Sequence, residues 1–258
     1  MRRIGIVLLA AAGIGLSGAA SAADLGTAPI YKKAPVAAPF TWTGAYIGAY
    51  IGGATGAKDA VTNDPLIVGV GGFNGVPPTS YGVGSSFIGG YTGGYNWQVA
   101  PNWVVGYEGE TGYIRLRGSG IQNPGAAQTT VFTNIGDWYS VWTARLGYAV
   151  DRSLLYVKGG LLAASVETGA VKNTGLIRMN VSDHHWQFGY AIGGGWEYAI
   201  DPKWSVKAEY LYLGLDTNYT VTGADSTARP ISVTTRVPGI HTGKVGVNYK
   251  FDWFGLLR

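Results

Sequence analysis

Glu108 and Glu110 are separated by a single residue, and so are Lys207 and Glu209. In an extended chain such pairs lie on one face, because successive side chains point to opposite sides. The same parity, followed through the neighbouring segments, directs Arg145, Lys158, Glu197, Lys244 and Lys250 to the equivalent face. Charges of both signs are thereby gathered on one side of the chain, and the chemistry open to them is ion pairing. An unpaired charge taken out of water costs several kcal/mol, so opposite charges confined in a narrow space should pair. A structural ion-pair network is the expected role. A polar path or gate for small solutes, carried by Glu108, Glu110, Arg145, Lys158, Lys207 and Glu209, is the alternative.

Other reactive side chains form no convincing site. Catalysis by a nucleophile requires a base and an orienting group within reach, and Ser182-Asp183-His184 is a cluster in sequence only. No enzyme activity is expected. His184 and His185 are adjacent, so in a strand they point opposite ways and do not make one metal face. His241 lies apart from them. With no cysteine, disulfides and thiolate metal sites are excluded, and no metal or cofactor is expected.

The elements that must position the charges are strands. In Phe87-Ile88-Gly89-Gly90-Tyr91-Thr92-Gly93-Gly94-Tyr95-Asn96-Trp97, the residues Phe87, Tyr91, Tyr95 and Trp97 share one parity, and Gly, Thr and Asn lie among the rest. Segments of this kind recur in pairs joined by short turns, at Ala100-Pro101-Asn102, Asp151-Arg152 and Asp201-Pro202, spaced by about fifty residues. The expected strands are Trp42 to Ala54, Ser85 to Val99, Trp103 to Leu116, Asp137 to Val150, Ser153 to Thr168, His185 to Ile200, Lys203 to Thr217 and Val237 to Phe251. Longer connections rich in Gly, Thr, Asn and Pro are expected at 55–84, 117–136, 169–184 and 217–236.

Strands of about 9 to 11 residues suffice to cross a bilayer when tilted. The reading is all-β: an eight-stranded antiparallel up-and-down transmembrane β-barrel over residues 42–251. An interior of eight strands is only just wide enough to be filled by side chains, which favours the ion-pair network over a permanent aqueous pore. Trp97, Trp103, Trp196, Tyr198, Trp204, Tyr249 and Phe251 lie near the short turns and should form an interfacial aromatic belt. A soluble periplasmic sandwich or lipocalin-like domain is the competing architecture, and it leaves those aromatics unexplained.

Composition agrees with a barrel wall. Apolar residues make up 47% of the chain and charged ones 13%, with 42 Gly, 17 Tyr and 9 Trp. Arg2-Arg3, the apolar run Ile4 to Leu16 and Ala20-Ser21-Ala22 read as an export signal over 1–22. Residues 23–41, with Pro29, Pro35, Pro39 and Lys32-Lys33, read as a periplasmic linker, and 252–258 as a tail. The net charge of +4 includes Arg2 and Arg3 and is too weak to imply a nucleic-acid partner. Short turns on the periplasmic side and long loops outside would put both termini in the periplasm. Arg115 and Arg117 would then lie at the outer rim, where guanidinium groups suit lipopolysaccharide phosphate.

The last strand ends Lys244-Val245-Gly246-Val247-Asn248-Tyr249-Lys250-Phe251. A polar residue, Gly two residues on, alternate aromatics and a final Phe resemble the signal by which barrel-assembly machinery recognises its clients, with Lys244, Gly246, Tyr249 and Phe251 as its elements. Here the chain continues for seven residues. The opening Phe40-Thr41-Trp42-Thr43-Gly44-Ala45-Tyr46-Ile47-Gly48, behind its Pro-rich lead, is similar to that of small outer-membrane barrels of alphaproteobacteria, the porin-like and hemin-binding surface antigens related to the OmpA barrel. The resemblance implies a Gram-negative outer-membrane protein with a structural or porin-like envelope role. It also implies an alternative, a surface barrel that binds hemin or host factors through its loops. For hemin the candidate ligand is His185, with Tyr81 or Tyr219 nearby.

Overall fold

A computed structural model describes residues 40–67, 71–72, 75–123 and 128–251. The expected export signal, nearly all of the linker and the tail after Phe251 lie outside the described residues. Within them the strands are β1 (Gly44–Gly56), β2 (Ala60–Thr62), β3 (Leu66–Ile67), β4 (Gly71–Gly72), β5 (Thr79–Tyr81), β6 (Ser85–Ala100), β7 (Trp103–Gln122), β8 (Thr129–Val150), β9 (Ser153–Lys172), β10 (Met179–Ala199), β11 (Trp204–Gly214), β12 (Thr217–Ala224), β13 (Pro230–Val237) and β14 (Ile240–Phe251). Eight of these close into an antiparallel ring in the order β1, β14, β11, β10, β9, β8, β7, β6.

Closure requires tilt and stagger. Following paired residues once around, from Tyr46 through Gly94, Glu108, Thr143, Gly160, Ala191, Leu213 and Ile240, returns to β1 at Gly56, ten residues further along. Three tight turns join the strands at one end. Val150 pairs with Ser153 across Asp151-Arg152, and Asp151 sits in the left-handed region at φ 50, which Asp tolerates. Asp201 accepts hydrogen bonds from the amides of Lys203 at 2.7 Å and Trp204 at 2.8 Å, and these hold its carboxyl below the ordinary range.

The wall separates two chemistries. Outward positions carry Ile47, Ile51, Tyr91, Trp142, Leu155, Leu161, Phe188, Ile192 and Val245, all exposed. A continuous apolar exterior of this kind is the lipid-facing band of a membrane barrel. Near the short turns Trp97, Trp103, Trp196, Tyr198 and Trp204 project outward, with Trp204 meeting Tyr249 edge-on at 4.9 Å and Trp103 meeting Tyr148 at 5.3 Å. This is the expected belt; Phe251, at its edge, is half-buried.

The long-loop end departs from expectation. Most of 117–136 and 169–184 is strand, because β7 and β9 run on to Gln122 and Lys172, and β8 and β10 begin at Thr129 and Met179. The alternation persists there: Val131, Thr133, Ile135, Val166, Thr168, Ala170 and Val181 are buried on the inner face. Residues 217–236 form the β12–β13 hairpin, which prolongs β11 and β14 after breaks at Leu215-Asp216 and Pro238-Gly239. On its other edge β13 pairs with β2 and β3, while β5 pairs with β2 and β4 with β3. Much of what reads as loop in 117–136 and 169–184 is therefore prolonged barrel wall, and 55–84 and 217–236 contribute a second sheet laid over the barrel mouth.

Glycines fit the inner wall to its large side chains. Gly94 faces the Tyr46 hydroxyl, which would stand 2.7 Å from an added Cβ, whereas nothing lies within 4 Å of such an atom at the lipid-facing Gly53. Gly94→Val is expected to lower the unfolding free energy by about 1–3 kcal/mol through overpacking, and Gly53→Val by under about 0.5 kcal/mol. Equal urea midpoints for the two variants, measured on detergent-refolded protein, would defeat this account of the inner glycines.

Candidate functional site

The inner face of the short-turn half gathers Glu108 and Glu110 from β7, Arg145 from β8, Lys158 from β9, Glu197 from β10, Lys207 and Glu209 from β11, and Lys244 from β14, all buried. Four carboxylates meet four cations, so the cluster is formally neutral. Lys158 stands at its centre, with its ammonium 2.5 Å from Glu108, 2.8 Å from Glu209 and 3.4 Å from Glu110. Lys244 bridges Glu110 at 2.6 Å and Glu209 at 2.9 Å, and Lys207 pairs with Glu108 at 3.0 Å. Arg145 pairs with Glu197, and its guanidinium carbon lies 3.7 Å from the centre of the Tyr156 ring.

Neutral donors add to the ion pairs. The Tyr46 hydroxyl donates to Glu108 at 2.8 Å and that of Tyr156 to Glu209 at 2.9 Å. Ser205 and the Asn248 amide donate to Glu197 at 2.5 and 2.8 Å. Six of the eight ring strands supply a charged member and β1 supplies Tyr46, so the lattice ties the cylinder across its diameter. The carboxylates of Glu108, Glu110 and Glu209 approach within 4.8 Å of one another, a spacing that suits a cation. Lys158 and Lys244 already supply positive charge there.

Of the charges expected in the network, Lys250 stands apart. Its ammonium bonds the Thr41 carbonyl and lies 4.9 Å from the Phe40 ring centre, at the short-turn rim. The cause is its depth: Lys250 is one residue from the end of β14, level with the chain's entry into the barrel. That entry contributes a feature the alternation pattern did not disclose. Trp42 is buried against Val104, Ala149, Leu154, Tyr156 and Ala199, closing the base of the lumen, with Phe40 edge-on at 5.1 Å.

Above the lattice the lumen is apolar. The Tyr50 and Tyr139 hydroxyls meet at 2.7 Å, and beyond them Ile88, Ile114, Leu116, Val141, Leu162, Leu211, Leu213 and Ile240 form a dry layer beneath the second sheet. Within the cap, Thr62 meets the Tyr81 hydroxyl at 2.8 Å and Thr235 at 2.9 Å, and Tyr81 meets Thr133 at 2.9 Å. A sequence signal for this plug existed in the inward aliphatics of the long-loop half.

The remaining candidates are differently placed. His185 stacks on Tyr219, with centroids 3.3 Å apart and planes 12° apart, and the Tyr219 hydroxyl donates to Asp183 at 2.5 Å. His185 Nε2 lies 3.4 Å from Gln187 Oε1. Tyr219 thus lies flat on the imidazole, while Tyr81 is enclosed in the cap, so neither stands opposite His185 across a ligand-sized gap. Asp183 is engaged by Tyr219, and His184 meets Ser165 at 2.6 Å, so Ser182-Asp183-His184 does not assemble as a relay. Arg115 is exposed at the long-loop rim, 3.4 Å from Asp137, and Arg117 is exposed beyond it. In β14, Lys244 belongs to the lattice, Gly246 packs beside Tyr50 and Lys207, and Phe251 pairs with Ala45.

Comparison with known proteins places this arrangement. Residues 8–251 match the outer membrane protein beta-barrel domain family. The 31 kDa outer-membrane immunogenic proteins of Brucella melitensis biotype 1 and Brucella suis biovar 1 are each 32% identical over 241 residues, covering 85% of this chain and 89% of the relative. Among solved structures, the outer membrane protein OprG of Pseudomonas aeruginosa aligns over 83% of this chain and 98% of its own, with a TM-score of 0.51 and 16% identity, a likeness of fold.

The lattice geometry predicts how stability divides between centre and rim. Glu108→Gln leaves Lys158 and Lys207 undercompensated and is expected to cost about 3–5 kcal/mol of unfolding free energy. Lys250→Gln, at the wetter rim, is expected to cost under about 1 kcal/mol. Urea titration of both variants in detergent micelles checks this, and equal losses would contradict a lattice centred on Glu108.

Proposed function

The chain belongs to the outer membrane protein β-barrel domain family, and we propose that its interior is a structural core which anchors a rigid β-sheet cap in the outer membrane, rather than an open diffusion pore. One observation carries this reading: the lumen is filled at three successive levels, by Trp42 at the short-turn end, by the charge lattice, and by the apolar layer under the cap. Passage of a small solute would require several ion pairs and a dry layer to separate together, so any porin-like flux is slow. The envelope role is mechanical and interfacial.

The cap supplies the surface. Long connections of bacterial barrels face outward and short turns face the periplasm, so the chain's entry at Phe40 and its exit at Phe251 lie on the periplasmic side in this reading. The relatives are named as immunogenic, and the capping sheet is the part of this chain that a host would meet. Barrel-assembly machinery would engage β14 during insertion through Lys244, Gly246, Tyr249 and Phe251. Binding of hemin through His185 finds less support, since Tyr219 already covers that ring.

Planar-bilayer recording tests the central claim. Folded wild-type protein is expected to give no large, reproducible conductance steps, and such steps would overturn the sealed-lumen reading. Epitope tags at Gly175 and at Pro202 report orientation separately: antibody added to intact cells is expected to reach the first and not the second.

A further inference from the structure

On the lipid-facing wall formed by β6, β1, β14 and β11, one row of outward positions reads Phe87, Gly53, Gly243, Tyr210. Nothing lies within 4 Å of a side-chain position at either glycine, while Phe87 and Tyr210 are 60% and 49% exposed. Two aromatic rings therefore stand on either side of a bare backbone floor. This slot lies toward the long-loop end of the spanning wall.

The rows above and below differ in chemistry. Above lie Ser85, Thr55, His241 and Tyr212, with the Ser85 hydroxyl donating to Thr55 at 3.0 Å and the Tyr210 hydroxyl 2.6 Å from His241 Nδ1. Below lie Gly89, Ile51, Val245 and Ala208, and a second, separate apolar depression toward the short-turn end is lined by Ile51, Ala49, Val245, Val247 and Trp196. The surface is polar at the membrane boundary and apolar and concave beneath it, which is the profile of an amphiphile standing along the wall.

The cations flank the polar end. The Arg115 amide bonds the Ser86 hydroxyl at 3.0 Å, so the Arg115 side chain leaves the wall beside the slot, with Arg117 two residues beyond. The Arg115 to Asp137 pair is exposed on both sides, and such pairs contribute little, so a phosphate could compete for the guanidinium. From β11 to β7 the polar edge spans four interstrand steps of ~4.8 Å, about 19 Å in all. That width exceeds one phosphodiester headgroup and suits a phosphorylated disaccharide.

We propose that this slot docks a phosphorylated, acylated glycolipid of the outer leaflet, lipopolysaccharide through its lipid A moiety. One acyl chain lies over Gly53 and Gly243 between Phe87 and Tyr210, the sugar edge meets Thr55, Ser85 and His241, and a phosphate meets Arg115 and Arg117. The assignment rests on the orientation given above, which places the slot in the outer leaflet.

The test uses the protein extracted in detergent, with purified bis-phosphorylated lipid A, its dephosphorylated form and phosphatidylglycerol as probes, bound complexes being read by native mass spectrometry. Gly53→Leu and Gly243→Leu fill the slot where space is open; each is expected to weaken lipid A binding about tenfold, with the urea midpoint confirming the fold. The double variant Arg115→Ala, Arg117→Ala is expected to weaken the phosphorylated probe by a similar factor and to leave the dephosphorylated one unchanged. Wild-type affinity in both slot-filling variants would overturn the proposal. Equal binding of phosphatidylglycerol would also overturn it, by reducing the slot to an unselective lipid contact. Conductance is unaffected by either result, so failure here is distinct from failure of the sealed-lumen reading.

Discussion

Backbone closure is the constraint from which the other features follow. In hydrocarbon no water is available to satisfy an edge strand, so a sheet that crosses a membrane must pair its first strand with its last. Here β1 meets β14 along twelve residue pairs, from Ala45 with Phe251 to Gly56 with Ile240. Eight strands with a stagger of ten residues enclose a cylinder with room for side chains and little else. Whatever points inward must therefore be mutually compatible, because so narrow a lumen leaves little room for solvent to screen a mismatch. The equal count of carboxylates and cations, with Tyr46, Tyr156, Ser205 and Asn248 meeting the leftover acceptors, is a consequence of that confinement.

Buried ion pairs are a weak source of net stability, since the cost of removing both charges from water offsets much of their attraction. Their value here is specificity. A one-residue slip of any strand would turn its inward charges toward lipid and bring its outward aliphatics into the lattice. Charged members drawn from β7, β8, β9, β10, β11 and β14 thus fix register around most of the ring, and Tyr46 with Tyr50 extends the same control to β1. The inner glycines belong to this arrangement, because a tyrosine lying along the inner wall needs a bare partner on the adjacent strand, as Tyr46 has in Gly94 and Tyr50 in Gly90.

Much of this was legible in the residues. Alternation, three short turns and terminal aromatics gave eight barrel strands, each with ends close to those observed at the short-turn side, and parity identified eight of the nine expected lattice charges. Lys250 escaped because parity gives direction and not depth: it faces inward but lies at the level of Phe40. The cap escaped for a related reason. Segments rich in Thr, Gly and Asn around 117–136 and 217–236 read as loops when expected strand length is set by bilayer thickness, yet β-branched residues such as Val131, Thr133, Val221 and Val233 continue the alternation above the membrane. Pairings between β13 and the short strands β2 and β3 join residues more than 160 positions apart, and no local pattern signals them.

The two halves of the interior then make different contributions. The short-turn half is polar and cross-linked by charge, so its rigidity is directional. The long-loop half is packed with Ile, Leu and Val, continuous with the cap through Tyr81, Val83, Ile231 and Val237, and its order comes from exclusion of water. A cap with its own core, fused to the barrel's apolar layer, has fewer conformations to lose than free loops would, and a partner meeting it pays less to order it. A partner that met this surface would therefore encounter side chains displayed by a fixed sheet, in contrast to a small barrel whose long connections fold only around their ligand.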